Sequence, residues 1–202
     1  IKRVVVASSS VLNQHFAGEA SSDLTTEEAL PRPTTFYAAT KQSVESIGVN
    51  YARHCGIEFA GLRYGPVAGP WKGAGGGEPT NLFRRMVQSA LKGEEVSIPG
   101  MALEWVYSKD AAAATVMALK AGKLETGIFN VTMGRSVSGE DFAAALGEAL
   151  PGTKTKVLPR PAGAAPAGKP ADIARATRVL GYRPQFPLPE AIRDYIAWCR
   201  KA

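Results

Sequence analysis

A tyrosine and a lysine with a spacing suited to proton transfer lie in the segment Phe36-Tyr37-Ala38-Ala39-Thr40-Lys41. The surrounding sequence predicts a helix, and residues four apart in a helix lie on the same face. Tyrosine is a weak base at neutral pH, but a nearby ammonium group stabilises its phenolate form. An amphipathic helix can also carry such a pair by chance, so the spacing alone is a weak indication of catalysis.

A β-branched run over residues 1–7 precedes this helix and ends in Ser8-Ser9-Ser10. It is typical of a buried parallel strand with hydroxyl groups at its carboxyl end, where open α/β sheets bind their ligands. A second predicted strand, residues 57–63, follows the helix and leads into a turn at 64–70. The order strand, helix, strand predicts a βαβ unit with serine, tyrosine and lysine side chains at one edge of the sheet.

The rest of the sequence alternates between helical and extended patterns. Helices are predicted over residues 34–54, 79–92, 110–121, 142–150, 172–180 and 189–200, further strands over 95–98, 103–107, 127–131 and 154–158, and loops over 11–33 and 159–170. This alternation favours an α/β fold with a mostly parallel sheet. The helix that carries Tyr37 is expected to pack through an apolar stripe that includes Val44, Ile47 and Tyr51.

The composition, 45% hydrophobic over 202 residues, predicts a globular protein with a sizeable core. The net charge of +6 comes from scattered lysines and arginines, so no nucleic-acid partner is predicted. No apolar run reaches the roughly 18 residues of a membrane helix, and no signal peptide is visible, so no membrane partner is predicted. Cys55, Cys199, His15 and His54 lack the spacing of disulfide or metal sites, which predicts a cytoplasmic protein with reduced thiols and no metal.

Six motifs occur in a characteristic order. They are Val-Val-Ala-Ser-Ser-Ser, Arg-Pro-Thr-Thr-Phe-Tyr-Ala-Ala-Thr-Lys, Leu-Arg-Tyr-Gly-Pro-Val-Ala-Gly-Pro, Trp105-Val106-Tyr107-Ser108-Lys109-Asp110, Phe129-Asn130-Val131 and Leu180-Gly181-Tyr182-Arg183-Pro184. Together they resemble the extended short-chain dehydrogenase/reductases, the NAD-dependent sugar-nucleotide epimerase/dehydratase family. Ordered motifs at compatible spacing are far more specific than the Tyr/Lys pair.

The resemblance covers residues 1–198 and implies a Rossmann-like, doubly wound, mostly parallel sheet with a small α/β substrate-binding lobe. Residues 1–70 would form the catalytic part of the Rossmann-like domain. Residues 71–202 would form mainly the substrate-binding lobe, with 103–131 returning to the sheet.

The resemblance also implies an NAD(P)-dependent epimerase, dehydratase or reductase acting on a sugar or sugar-nucleotide. Tyr37 would be the general acid/base in hydride transfer, and Lys41 would assist it and hold the nicotinamide ribose. Ser9 would hydrogen-bond the reacting oxygen. Ser9 is chosen over its neighbours because the catalytic Ser/Thr of the family precedes a Val or Leu by three positions, as Ser9 precedes Leu12.

Further site residues follow from the same motifs. The implied contacts to NAD or NADP are Tyr37, Lys41, Tyr64, Pro66 and Val67, and the implied substrate contacts are Ser10, Asn81 and Arg160. A helix cap explains Asn81 equally well, and a solvated surface charge explains Arg160. Arg63 lies either near the nicotinamide or in a structural ion pair. No metal is implied, and the resemblance is compatible with a homodimer.

Two departures from the family pattern bear on the substrate. Residues 12–14 read Leu-Asn-Gln where the family usually continues Val-Tyr-Gly. Leu103 stands where the family often has an arginine that clamps the nucleotide diphosphate, and leucine cannot form bidentate phosphate bonds. This favours a different or smaller substrate, unless Arg84, Arg85 or Arg160 takes over the role.

The sequence does not open with the strand, Gly-rich turn and helix of a dinucleotide fold. The glycine cluster at 73–77 follows Trp71-Lys72 rather than a strand. Relative to the family, about 100 residues that form the first Rossmann half would be missing. We therefore expect the 202-residue chain alone to show no measurable NAD(P) binding and no activity. The alternative hypothesis is a noncatalytic binding or structural member of the fold, or an inactive fragment.

Overall fold

The computed structural model describes residues 1–13, 24–71, 76–124, 127–160 and 169–201. Its strands are β1 (Arg3–Ser9), β2 (Glu58–Tyr64), β3 (Val67–Ala68), β4 (Val96–Ile98), β5 (Val106–Tyr107), β6 (Gly127–Val131) and β7 (Thr155–Val157). Its helices are α1 (Phe36–Cys55), α2 (Glu78–Leu91), α3 (Ser108–Lys120), α4 (Gly139–Ala149), α5 (Ala174–Leu180) and α6 (Leu188–Cys199), and Ser10–Asn13 forms a 3₁₀ turn. The predictions for His15, for residues 73–75, and for the parts of the predicted loops at 14–23 and 161–168 concern residues outside this description.

The main sheet consists of three parallel strands in the order β1-β2-β6. Ser9 of β1 pairs with Tyr64 of β2, and Arg63 of β2 pairs with Asn130 of β6. Because all three strands run in the same direction, their carboxyl ends meet at one edge. Helix α1 packs against β1 and β2. The predicted α/β class and the predicted sheet beside the Tyr37 helix are thereby confirmed.

Alternate residues of β2 face different helices. Phe59 lies against Gly48 of α1, and Arg63 binds Glu45 of the same helix. Ala60 and Leu62 belong to a buried apolar cluster formed with α3 and α5. Helices therefore cover both faces of the sheet, as in a doubly wound fold.

Helix α1 contacts the sheet through small and polar residues instead of the predicted apolar stripe. Its buried residues are Ala38 and Glu45, whereas Ile47 and Tyr51 are 57% and 59% exposed. The prediction that Ile47 and Tyr51 pack on the core is wrong. The ring of Phe59 projects into the space at Gly48, so the face of α1 toward the sheet must be small.

Substitution of Gly48 tests this close approach. Alanine is normally favoured over glycine inside a helix by about 1 kcal/mol. However, a Cβ at Gly48 would lie 2.1 Å from the ring of Phe59, and overpacking of this kind costs about 1–3 kcal/mol. We expect Gly48→Ala to lower the free energy of unfolding, measured by urea denaturation. The control is Gly147→Ala in α4, where nothing lies within 4 Å of the new Cβ, and which should gain stability. A stabilised Gly48→Ala protein would contradict the contact.

The second part of the fold, called the lobe here, contains α2, α4, α6 and the parallel pair β4-β7. Its core includes an aromatic cluster in which Phe83 contacts Trp105 and Phe142 edge-on, at centroid distances of 5.9 and 5.7 Å. Tyr195 of α6 packs against the same Phe83 ring. The lobe thus holds α2 through large, interlocking rings.

A short parallel pair, β3-β5, forms a separate two-stranded sheet. Strand β3 was not predicted, and the strand predicted over 103–107 is limited to Val106–Tyr107, with Leu103 in a single antiparallel bridge to Val137. Residues 103–131 were predicted to return to the main sheet; within this range β6 belongs to that sheet, whereas β5 pairs with β3. The domain boundaries stay a prediction. None of the described helices is both long and apolar enough to cross a membrane.

Candidate functional site

A cavity of about 700 Å³ opens at the carboxyl ends of β1 and β2. Its sheet side consists of residues 7–11, Tyr37, Lys41 and the turn after β2. Its lobe side consists of Trp71, Gly76, Gly77, Pro79, Thr80 and Arg84, and Ser108 lines it from the start of α3. This position is the edge at which open α/β sheets bind ligands.

Most of the residues singled out from the sequence meet in this cavity. Those that line it are Ser9, Ser10, Tyr37, Lys41, Tyr64, Pro66 and Val67. Asn81 and Arg160 are not among its lining residues. The Asn81 amide donates to the carbonyl of Gly76 at 3.2 Å, and Arg160 is exposed beside Gly100. The functional roles of all these residues stay predictions.

The Lys41 ammonium lies between Tyr37 and the end of β1. Its Nζ donates to the carbonyl of Ala7 at 2.9 Å and lies 5.6 Å from the centroid of the Tyr37 ring. Tyr37 is 55% exposed, so its phenol is accessible to a ligand in the cavity. A cation at this distance from the centroid is attracted to the ring.

The three serines at the end of β1 have different surroundings. Ser8 is buried and donates to Glu45 Oε1 at 2.5 Å. Its hydroxyl proton is therefore already used in a structural hydrogen bond. Ser9 Oγ accepts a hydrogen bond from the backbone N–H of Val11 at 3.2 Å. Ser8 faces α1, and side chains alternate along a strand, so Ser9 projects toward the opposite face of the sheet. Ser9 and Ser10 both line the cavity, and both remain candidates for the serine role.

A buried ion pair lies directly behind the cavity. Arg63 is 3% exposed and Glu45 is 6% exposed. Arg63 Nε donates to Glu45 Oε1 and Arg63 Nη2 to Glu45 Oε2, both at 2.8 Å. Arg63 Nη1 also donates to Asn13 Oδ1 at 2.9 Å. Of the two roles that the sequence left open for Arg63, the structure supports the structural ion pair.

Asn13, noted in the sequence as a departure from the family pattern, joins this network to β6. Its amide donates to Asn130 Oδ1 at 3.0 Å, and the Asn130 amide donates to the carbonyls of Thr25 and Asp172 at 3.1 and 3.0 Å. Sequence reasoning missed the roles of Glu45, Asn13 and Asn130. The available signal for Glu45 was its position four residues after Lys41, which places it on the same helix face.

The Tyr64 phenol is a hydrogen-bonding structural group. Its oxygen lies 2.6 Å from Thr115 Oγ1, and burial raises the pKa of Tyr64. The phenol therefore stays neutral, and it is Tyr64's ring and backbone that remain available to the cavity.

The cations at the lobe side differ in accessibility to the cavity. Arg85 forms an exposed ion pair with Glu78, whereas Arg84 lines the cavity. Leu103 packs against the lobe core.

In the part of the chain that the structure describes, no group of three or more His, Cys, Asp or Glu side chains is arranged to hold a metal ion.

Residues 1–132 match the model of the NAD dependent epimerase/dehydratase family, which is more than half of the chain. UDP-glucuronate 4-epimerase 4 of Arabidopsis thaliana is 26% identical over 186 residues. An uncharacterised protein of Methanocaldococcus jannaschii is 26% identical over 202 residues. These matches cover 83% and 98% of this chain, but only 41% and 59% of the two relatives. The chain thus spans roughly half the length of the curated relatives it matches.

Solved structures of two epimerases match the whole chain. UDP-glucose 4-epimerase of Thermotoga maritima, with UDP-glucose, has a TM-score of 0.77 and 25% identity, and the match covers 64% of that chain. UDP-glucuronic acid 4-epimerase of Bacillus cereus, in complex with NAD, has a TM-score of 0.77 and 25% identity, with 62% covered. The predicted Rossmann-like fold is confirmed by these matches.

Proposed function

Because the chain belongs to the NAD-dependent epimerase/dehydratase family, we propose that it is the catalytic and substrate-binding part of an NAD-dependent sugar-nucleotide 4-epimerase. The proposal rests on one observation: Tyr37, Lys41 and the serines at the end of β1 line the same cavity. The relatives are longer than this chain, so the activity, substrate and partners of the whole protein are all part of the proposal.

The sheet side of the cavity fits the nicotinamide end of NAD. Lys41 offers an ammonium donor suited to ribose hydroxyls, and Pro66 and Val67 offer apolar surface for a flat ring. When bound, NAD would supply the hydride acceptor and donor for the substrate carbon. We assign NAD rather than NADP because the solved B. cereus epimerase contains NAD.

Tyr37 performs the proton transfer in the proposed reaction. Its phenolate oxygen accepts the proton of the hydroxyl group on the substrate carbon while the C–H bond of that carbon breaks. On return of the hydride to the opposite face, Tyr37 gives the proton back to the carbonyl oxygen, so that no net proton or electron is consumed. Lys41 places a positive charge beside the Tyr37 ring during these steps.

Arg84 is our candidate for the phosphate contact that the family's arginine makes at the position of Leu103. It lies among the cavity residues, and a guanidinium group binds phosphate oxygens in a bidentate manner. The substrate class that these contacts suit is a nucleoside diphosphate sugar, as in the UDP-sugar relatives.

We extend the proposal to a cytoplasmic homodimer. The side chains of Phe36, Ile47 and Tyr51 on α1 are exposed, and exposed apolar side chains suit contact with a second copy. Cys55 and Cys199 are free thiols, which suits a reducing compartment.

The proposed function is tested with the full-length protein that contains this chain. It should retain NAD and convert UDP-glucuronic acid or UDP-glucose to the C4 epimer, detected by proton NMR of the sugar. Retention of NAD without conversion of any UDP-sugar would overturn the catalytic proposal and favour a noncatalytic member of the fold.

The choice between Ser9 and Ser10 is tested by two alanine variants of the same protein. If Ser9 contacts the reacting oxygen, Ser9→Ala should lower kcat by about 10²-fold, whereas Ser10→Ala should have a much smaller effect. The reverse result would assign the role to Ser10. Equal, small effects would remove both serines from the chemical step.

A further inference from the structure

Glu45 lies at the junction of the two elements that carry the reacting side chains. It is one helical turn beyond Lys41 on α1, and its carboxylate accepts a hydrogen bond from Ser8, the residue before Ser9 on β1. Glu45 and Ser8 are both buried, at 6% and 4% exposure. A buried side-chain hydrogen bond therefore links the helix of the Tyr/Lys pair to the strand that carries the serines.

Arg63 makes this link rigid. Its two bonds to Glu45 occupy both carboxylate oxygens, and a planar bidentate pair fixes orientation as well as distance. A third nitrogen of Arg63 holds Asn13 at the end of the 3₁₀ turn after β1. The end of β1, the turn and α1 thus depend on one guanidinium group.

Apolar packing cannot fix the rotation of α1 by itself. The buried residues of this 20-residue helix are Ala38 and Glu45, and the contact at Gly48 has no side chain. Contacts of small residues are compatible with several rotations of a helix, whereas hydrogen bonds are directional. Glu45 therefore adds directional contacts to the close approach of Phe59 at Gly48, and together they specify which face of α1 meets the sheet.

Stability alone is a poor explanation for such a network. A buried ion pair costs several kcal/mol per ion in desolvation, and apolar replacements of similar volume are often equally stable. The network lies next to Lys41 and Ser9, and it supplies directional hydrogen bonds there that apolar residues would not.

We propose that Glu45, together with Ser8 and Arg63, is a positioning group that sets the rotation of α1 on β1. In this arrangement the Lys41 ammonium reaches the Ala7 carbonyl, and Tyr37 is presented to the cavity. The catalytic consequence of this positioning rests on the proposed function, whereas the geometric effect on Lys41 does not.

The geometric effect is measured on the 202-residue chain as the rate of reductive methylation of Lys41, by peptide mass spectrometry. Lys2 and Lys120 serve as internal references. In Ser8→Ala and Glu45→Gln, Lys41 should react about threefold faster or more, because loss of its fixed position releases its hydrogen bond to Ala7. Ser8→Ala removes only one hydroxyl group, so it remains informative if Glu45→Gln fails to fold.

The matched control is Glu58→Gln, which alters the ion pair with Arg3 at the other end of β1. It should lower stability and leave the reactivity of Lys41 unchanged. An equal increase in the control would overturn the proposal, because it would show general loosening of the sheet. Unchanged reactivity of Lys41 in both Ser8→Ala and Glu45→Gln would overturn it as well.

The catalytic consequence is measured on the full-length enzyme. Ser8→Ala should lower kcat by about tenfold with little change in KM, because misplacement of reacting groups affects mainly the chemical step. Ser8→Thr, which keeps the hydroxyl group, should restore most of kcat. An inactive wild-type enzyme would count against the proposed function and leave the methylation result to decide the positioning. Faster methylation with unchanged kcat would overturn the catalytic role.

Discussion

Replacement of Tyr37 by phenylalanine in the full-length protein should lower kcat by about 10²-fold or more, the usual scale for a lost general acid/base. Affinity for NAD should change little, since Lys41 and the turn after β2 remain in place. The phenol oxygen is the one heavy atom removed, and because the side chain of Tyr37 is exposed, the substitution should leave the fold intact. Turnover is measured by NMR of the sugar, and NAD binding by calorimetry.

Tyr51→Phe is the matched control for this experiment. Tyr51 lies on the same helix and is 59% exposed, but it is not among the residues that line the cavity. Its loss of a hydroxyl group should leave kcat within about twofold of the wild-type value, since surface substitutions rarely have larger effects. Unchanged turnover in Tyr37→Phe would remove Tyr37 from the mechanism.

Arg63→Met should lower the free energy of unfolding by about 3–5 kcal/mol, the cost of leaving one member of a buried ion pair without its partner. Arg63 is 3% exposed and binds Glu45 through two nitrogens. Removal of the guanidinium group leaves a buried carboxylate whose remaining donor is Ser8. Urea denaturation of the 202-residue chain measures the effect.

Two further variants test whether the loss of stability in Arg63→Met comes from the unpaired charge of Glu45 and from its burial. In Glu45→Gln/Arg63→Met the uncompensated charge is gone, so the double variant should recover part of the stability that Arg63→Met loses. Arg193→Met, which breaks exposed contacts with Glu148 and Glu190, should have a much smaller effect on the free energy of unfolding, because solvent screens exposed ion pairs. If Arg63→Met lowers the free energy of unfolding no more than Arg193→Met does, burial does not strengthen the Arg63–Glu45 pair.

The sequence was sufficient to predict the features that depend on neighbouring residues. Short, largely apolar runs predicted β1, β2 and β6 within two residues of their observed ends, because an apolar, extended pattern is a local property. The Tyr37/Lys41 pair was accessible for the same reason, since both side chains lie on one helix. Strand β3 has two residues, too few for any periodic pattern to indicate it.

Features that depend on distant residues could not be read in this way. The exposed position of Ile47 follows from the Phe59 ring at Gly48, a contact between two elements whose packing the pattern does not specify. The Asn13–Asn130 hydrogen bond joins residues 117 positions apart. A buried polar side chain is recognised only when its partner is known, so the network behind the cavity became visible in the structure alone.

The two sides of the cavity are supported by different cores. Tyr37 and Lys41 belong to α1 on the main sheet, whereas Thr80 and Arg84 belong to α2, whose buried residues pack in the lobe. Groups held by separate cores without shared partners contribute independently to a rate or an affinity. In the proposed enzyme, substitutions in α2 should therefore be able to change the substrate preference while the proposed proton transfer by Tyr37 is retained. In quantitative terms, the free-energy effects of Thr80→Ala and Lys41→Met on kcat/KM should add within about 0.5 kcal/mol in the double variant. A larger coupling energy would mean that the bound substrate itself connects the two sides.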